Sequence, residues 1–168
     1  VPGRAIDAAV FTLINDTSSH DLLVTYADRT GVVYRDLLAG KYRADPADAV
    51  PPGARRLLAR DLDYDGWLDL VAAGPESLLV LRNEAGRFEP PASPASGAGR
   101  AVAAIDIENR GVADIVVDGS VRRNRGRLVL DRPHATALVD AAALAAADFD
   151  GDGREDLAAI GPDGVLHM

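Results

Sequence analysis

Asp148-Phe149-Asp150-Gly151-Asp152-Gly153-Arg154-Glu155-Asp156-Leu157 sets four aspartates within nine residues, and Asp61-Leu62-Asp63-Tyr64-Asp65-Gly66-Trp67-Leu68-Asp69-Leu70 repeats the pattern. Both stretches read D-x-D-x-D-G-x-x-D and then an apolar residue. Two unit charges about 5 Å apart repel by roughly 3 kcal/mol at an effective dielectric of about 20, so such a cluster stays compact only around something positive. Oxygen donors at alternate positions select a hard cation, and their number favours Ca²⁺ over Mg²⁺. The spacing turns Asp61, Asp63 and Asp65 inward in one loop, and Asp148, Asp150 and Asp152 in the other. Gly66 and Gly153, at position 6, permit the positive φ of a sharp turn. Trp67 and Arg154 offer backbone carbonyls at position 7, and Asp69 and Asp156 close the far side at position 9. The expectation is a structural metal, about two Ca²⁺ per chain.

An EF-hand begins the same way but requires a bidentate Glu at position 12. Here that position holds Ala72 or Ala159. Each loop runs on into a short apolar stretch and a Gly-Pro turn, Leu70-Val71-Ala72-Ala73-Gly74-Pro75 and Leu157-Ala158-Ala159-Ile160-Gly161-Pro162. These read as buried strands. The loop therefore joins strand to strand.

Anchoring on the last Asp exposes further copies at Asp114 and Asp21, so the anchors fall at 21, 69, 114 and 156. Spacings of 48, 45 and 42 residues suit a four-stranded propeller blade. In each unit one strand enters the loop (Arg56–Arg60) and a second leaves it. A third follows a Gly/Pro turn (Leu78–Leu81), and a polar turn (Asn83–Gly86) leads to an edge strand at Arg87–Glu89. The stretch 90–99, rich in Pro, links one blade to the next. Ala141–Ala147 suits a helix on propensity, but its place one strand before Asp148 makes it a strand.

The other two loops depart from the pattern. Arg110 stands at position 5 of 106–114, where its guanidinium is suited to neutralise Asp106, Glu108 and Asp114 in place of an ion. Leu13 and Ser18 replace the leading Asp and the Gly of the first loop. No metal is expected at either.

This arrangement resembles the FG-GAP/VCBS repeat family, whose repeats build the integrin α-subunit propeller and many bacterial surface propellers, and most nearly the bacterial cartilage-acidic-protein-like group. The resemblance spans nearly the whole chain and is carried best by 55–90 and 141–168. It implies Ca²⁺ in the acidic loops, hence at Asp61, Asp63, Asp65 and Asp69 and at Asp148, Asp150, Asp152 and Asp156.

The fold class expected is all-β, as blades of four antiparallel strands. About three and a half blades are present, over approximately 4–45, 54–90, 99–132 and 138–168, the last cut short within its third strand. A closed propeller needs four blades or more. The chain therefore reads as a segment of a larger propeller, or as one whose last blade is completed by its own N-terminal residues, another chain or symmetry.

Net charge is −8. Two bound Ca²⁺ would bring it to −4, so the acidity is largely a property of the loops. It argues against a nucleic-acid partner. Arg122, Arg123, Arg125, Arg127 and Arg132 form a local basic patch that reads as a solvated outer edge of the third blade. The absence of cysteine leaves the compartment open, while a calcium requirement favours an extracellular, cell-surface or periplasmic site. No stretch is long and apolar enough for membrane insertion.

No Cys nucleophile, H-E-x-x-H or G-x-S-x-G occurs, and His20, His134 and His167 share no ligand spacing. Paired aspartates also serve glycosidases, but here they repeat at a structural period. The chain thus reads as a non-catalytic, calcium-stabilised scaffold for binding a protein or a glycan in adhesion. Two alternatives belong to other classes: a non-catalytic propeller part of a polysaccharide-active enzyme, and a lectin-like module stacking sugar on Trp67 and Tyr64.

Overall fold

Residues apolar at consecutive positions form the inner strands of this protein, because such strands are covered on both faces. Asp69–Ala73 and Asp114–Val117 are buried at every residue. The structure, a computed structural model, describes residues 3–11, 19–75, 77–89, 95–96, 99–136 and 140–168. Among them there is no helix, and every sheet is antiparallel with its main strands in chain order. The fold is all-β, in blade-like sheets, as the repeat implies.

The first sheet holds β1 (Ala5–Phe11), β2 (Asp21–Tyr26), β3 (Gly31–Asp36) and β4 (Tyr42–Ala47). The second holds β5 (Arg56–Arg60), β6 (Asp69–Ala73), β7 (Ser77–Glu84) and β8 (Arg87–Glu89). A two-residue strand, β9 (Ala95–Ser96), pairs with Leu78 and Ser77 of β7, so the Pro-rich link also extends the sheet. The third sheet holds β10 (Val102–Ile105), β11 (Asp114–Val117), β12 (Ser120–Arg122) and β13 (His134–Ala135). The fourth holds β14 (Ala143–Ala147), β15 (Asp156–Ile160) and β16 (Leu166–His167). The Ala-rich segment is thus a strand, paired with β15 from Ala143↔Ile160 to Ala147↔Asp156.

The polar turn after β7 is shorter than the sequence suggests. β7 continues to Glu84, and the reversal is made by Ala85 (φ 50°) and Gly86 (φ 93°) alone. Asp118 (φ 47°) and Gly119 (φ 86°) do the same between β11 and β12. Two successive positive-φ residues match the right-handed twist of the flanking strands.

The chain divides into two compact units, Val1–Asp61 with Asp65–Ala98, and Leu62–Tyr64 with Gly99–Met168. In the first, β1 lies against β5. Leu23, Val33, Val50, Leu70, Ala72 and Leu81 form its core. Asp7 reaches across to accept the Leu57 N–H at 3.0 Å. In the second unit β10 lies against β14. Ile105, Val116 and Val121 meet Leu144, Ala146 and Leu157 there. Each large aliphatic side chain withdrawn from water contributes roughly 1.5–3 kcal/mol. Among the described residues no helix is long and apolar enough to cross a membrane.

Candidate metal centre

Each acidic loop joins the first strand of a sheet to the second: 61–69 connects β5 to β6, 106–114 connects β10 to β11, and 148–156 connects β14 to β15. Their backbones share one conformation. Positions 4 and 6 are left-handed in all three, at Tyr64 and Gly66 (φ 63° and 88°), Asn109 and Gly111 (50° and 82°), and Gly151 and Gly153 (78° and 87°). The leading Asp holds that turn. Asp61, Asp106 and Asp148 each accept the N–H of the position-6 glycine, at 3.0, 2.5 and 2.9 Å. Tyr64 and Asn109 bear a Cβ at an αL position, a local strain that the surrounding hydrogen bonds must offset.

In the loop 148–156, carboxylate oxygens of Asp148, Asp150 and Asp156 lie within 4.8 Å of one another. Asp148 Oδ1 also accepts the Gly151 and Asp152 N–H groups, at 2.7 and 3.1 Å, and Asp156 Oδ2 accepts the Phe149 N–H at 3.0 Å. Asp152 is occupied locally, taking the Arg154 N–H at 2.8 Å. Among the described residues no Lys or Arg pairs with these aspartates. In the loop 61–69 the structure gathers Asp61, Asp63 and Asp65 in the same way. Asp65 Oδ1 accepts the Trp67 N–H at 2.9 Å, while Oδ2 accepts Arg82 Nη2 at 3.0 Å. The donor sets fit a divalent cation: each offers three hard oxygens converging from a turn already wound.

Asp69 stands apart from its group. It is fully buried, and its Oδ1 accepts the Asn83 N–H at 2.9 Å. Asp114 Oδ1 takes the Asn124 N–H at 2.8 Å, and Asp21 Oδ1 takes the Asp36 N–H at 2.9 Å. The last Asp of these three repeats thus ties the second strand to the end of the third, with a charge-assisted bond that is buried at Asp69 and Asp114 and partly buried at Asp21. Asn83 and Asn124 complete the tie. Their side-chain amides donate to Leu68 O (3.1 Å) and Ala113 O (3.2 Å), and their Oδ1 atoms accept the Gly86 and Gly126 N–H groups. Asn124 Nδ2 also donates to Leu62 O at 2.7 Å. The sequence puts Asn83 in a polar turn and gives Asn124 no role, whereas Asn83 lies within β7 and both side chains bond the backbone of the preceding loop. The signal is an Asn at or just past the end of the third strand with a Gly two or three residues on, at Asn83/Gly86 and Asn124/Gly126.

The loop 106–114 shows what a guanidinium does there. Arg110 Nε pairs with Glu108 at 2.8 Å and Nη2 with Asp114 at 3.2 Å. Arg123, from the end of β12, adds bonds to Asp114 at 2.8 Å and to Glu108 at 3.3 Å. Asp106 is held through the backbone N–H groups of Arg110 and Gly111. Part of the basic patch therefore neutralises a loop, and Arg125 pairs with Asp131. The degenerate segment 12–18 of the first loop lies outside the described residues.

No curated protein matches the sequence. Five chains of solved structures match. One is the crystal structure of the V. cholerae biofilm matrix protein Bap1, at 18% identity and a TM-score of 0.48 over 100% of this chain. This chain spans 30% of that one. A family model described as the FG-GAP-like repeat matches residues 61–117, which contain the loops 61–69 and 106–114 with the sheet strands that follow them. Over that stretch the chain is similar to the FG-GAP-like repeats.

Proposed function

We propose that this chain is a non-catalytic, calcium-stabilised blade scaffold, part of a larger surface or extracellular protein that binds a protein or glycan in adhesion. The observation that carries this reading is the loop 148–156. Three carboxylates converge there within 4.8 Å without a cationic side chain among the described residues, at the junction of two paired strands. A divalent ion at that point crosslinks the ends of β14 and β15 and removes the repulsion. Because the ion binds the folded loop and not the unfolded chain, occupancy stabilises by about 2.7 kcal/mol per independent site at a hundredfold excess over Kd. The FG-GAP-like repeat supports the scaffold role, since its loops are built by the repeat itself rather than by a cleft.

Titration calorimetry tests the reading. About two Ca²⁺ per chain are expected, and Asp65→Ala and Asp150→Ala should each remove one. A chain that takes up no Ca²⁺ at millimolar concentration refutes it.

A further inference from the structure

An arginine precedes the N–H donor to the buried aspartate in every sheet where that tie is seen: Arg35-Asp36, Arg82-Asn83 and Arg123-Asn124. In the third sheet Arg123 is one of the two cations that neutralise the loop. In the second, Arg82 sends Nη2 to Asp65 Oδ2 at 3.0 Å, and Asp65 is one of the three gathered carboxylates.

We propose that Arg82 is a tethered cation that competes with Ca²⁺ for the loop 61–69, so that the two acidic loops fill at different Ca²⁺ concentrations, 148–156 first. This rests on the reading that both loops take Ca²⁺. An ion entering among Asp61, Asp63 and Asp65 must either displace the guanidinium from Asp65 or tolerate a unit positive charge one carboxylate away. Both weaken binding. Asp65 Oδ1 is already engaged by the Trp67 N–H, so the oxygen the guanidinium holds, Oδ2, is the one less committed to the backbone turn. The loop 148–156 has no such competitor among the described residues. Among the described residues the three loops thus form a series: no arginine on the aspartates of 148–156, at least one at 61–69, and two at 106–114. In the middle case the guanidinium also keeps the loop compact while calcium is scarce.

Calorimetry and thermal melting of the full chain, with Ca²⁺ as the only ligand, test this. The wild type should show two classes of site about tenfold apart in Kd, equal to about 1.4 kcal/mol. Arg82→Gln should tighten the weaker class at least about threefold, leave the tighter class unchanged, and lower the Tm in EDTA. Asp150→Ala in the same background should delete the tighter class. Arg82→Lys keeps the charge and should stay within about threefold of wild type. The proposal is overturned if Arg82→Gln leaves both constants unchanged or weakens binding, or if Lys tightens as much as Gln, since packing and not charge would then set the difference. The calcium reading itself fails separately, by an absence of heat and of Tm response in both wild type and Arg82→Gln.

Discussion

The loops 106–114 and 148–156 wind the same turn and lie in the same unit, yet they solve the problem of their own charge in opposite ways. In both, the leading Asp accepts the position-6 N–H and positions 4 and 6 are left-handed. In the first, Arg110 and Arg123 sit among the carboxylates. In the second, three carboxylates converge with no cationic side chain among the described residues. The turn is therefore independent of the counter-charge. The backbone is wound by side chain-to-backbone hydrogen bonds, and the counter-charge settles only the electrostatic cost. The two loops also touch, through the Asp106 N–H and Glu155 at 2.7 Å.

The largest effect expected from this comparison is at Asp114. Its fully buried carboxylate holds two guanidinium groups and the Asn124 N–H. Asp114→Ala leaves the Asn124 N–H without its acceptor and both guanidinium groups with Glu108 alone, and should cost about 3 kcal/mol, the low end for a broken buried pair because both arginines are partly exposed. Urea denaturation should give that loss equally with and without EDTA. Next comes chelation of the wild type. Removing Ca²⁺ should lower stability by about 2.7 kcal/mol for each site that was filled at a hundredfold excess over Kd. Asp150→Ala should make the chain insensitive at one of them.

A smaller effect tests whether guanidinium and ion are interchangeable. Arg110→Asp alone should not create a third site, because Arg123 still occupies Asp114 and Glu108. The double change Arg110→Asp with Arg123→Ser should raise the calorimetric stoichiometry by one. If the single change suffices, Arg123 is a spectator.

The smallest effect lies on the surface of the third sheet's turn. The Arg125 guanidinium bonded to Asp131 holds that carboxyl below the usual aspartate range. With its folded-state value depressed, the pair's contribution is present above the unfolded aspartate range and is lost as pH falls through the lower folded-state value. Arg125→Ala should return Asp131 to the ordinary range, read directly by its side-chain NMR titration, with little change in Tm.

Much of this was legible in the chain. β5 occupies the very residues that the repeat assigned to the entering strand, Arg56–Arg60, and β8 those of the edge strand, Arg87–Glu89. For β5 the reason is that a consecutive apolar run after a Pro-Gly turn admits few other readings, and for β8 that an alternating polar-apolar triplet follows the Ala85-Gly86 turn. The Ala-rich β14 shows position in the repeat outweighing helix propensity. Less legible was the division of labour among the aspartates. Asp69 has the spacing of a ligand, and its Oδ1 in addition accepts the Asn83 N–H from across the sheet, a partner that no linear motif reveals. Arg123 looked like one of several surface arginines because its partners lie 9 and 15 residues back along the chain.

By itself the sequence determined the blade period, the strand order and the loops' turn, since these follow from local spacing, apolar periodicity and glycine's tolerance of positive φ. The sequence also placed Arg110 among the carboxylates of its own loop, and only the tertiary structure decided the counter-charges that come from outside a loop. An arginine acts on whatever carboxylate lies within about 4 Å of its guanidinium, and strand register, not sequence distance, brought Arg82 to Asp65 and Arg123 to Asp114.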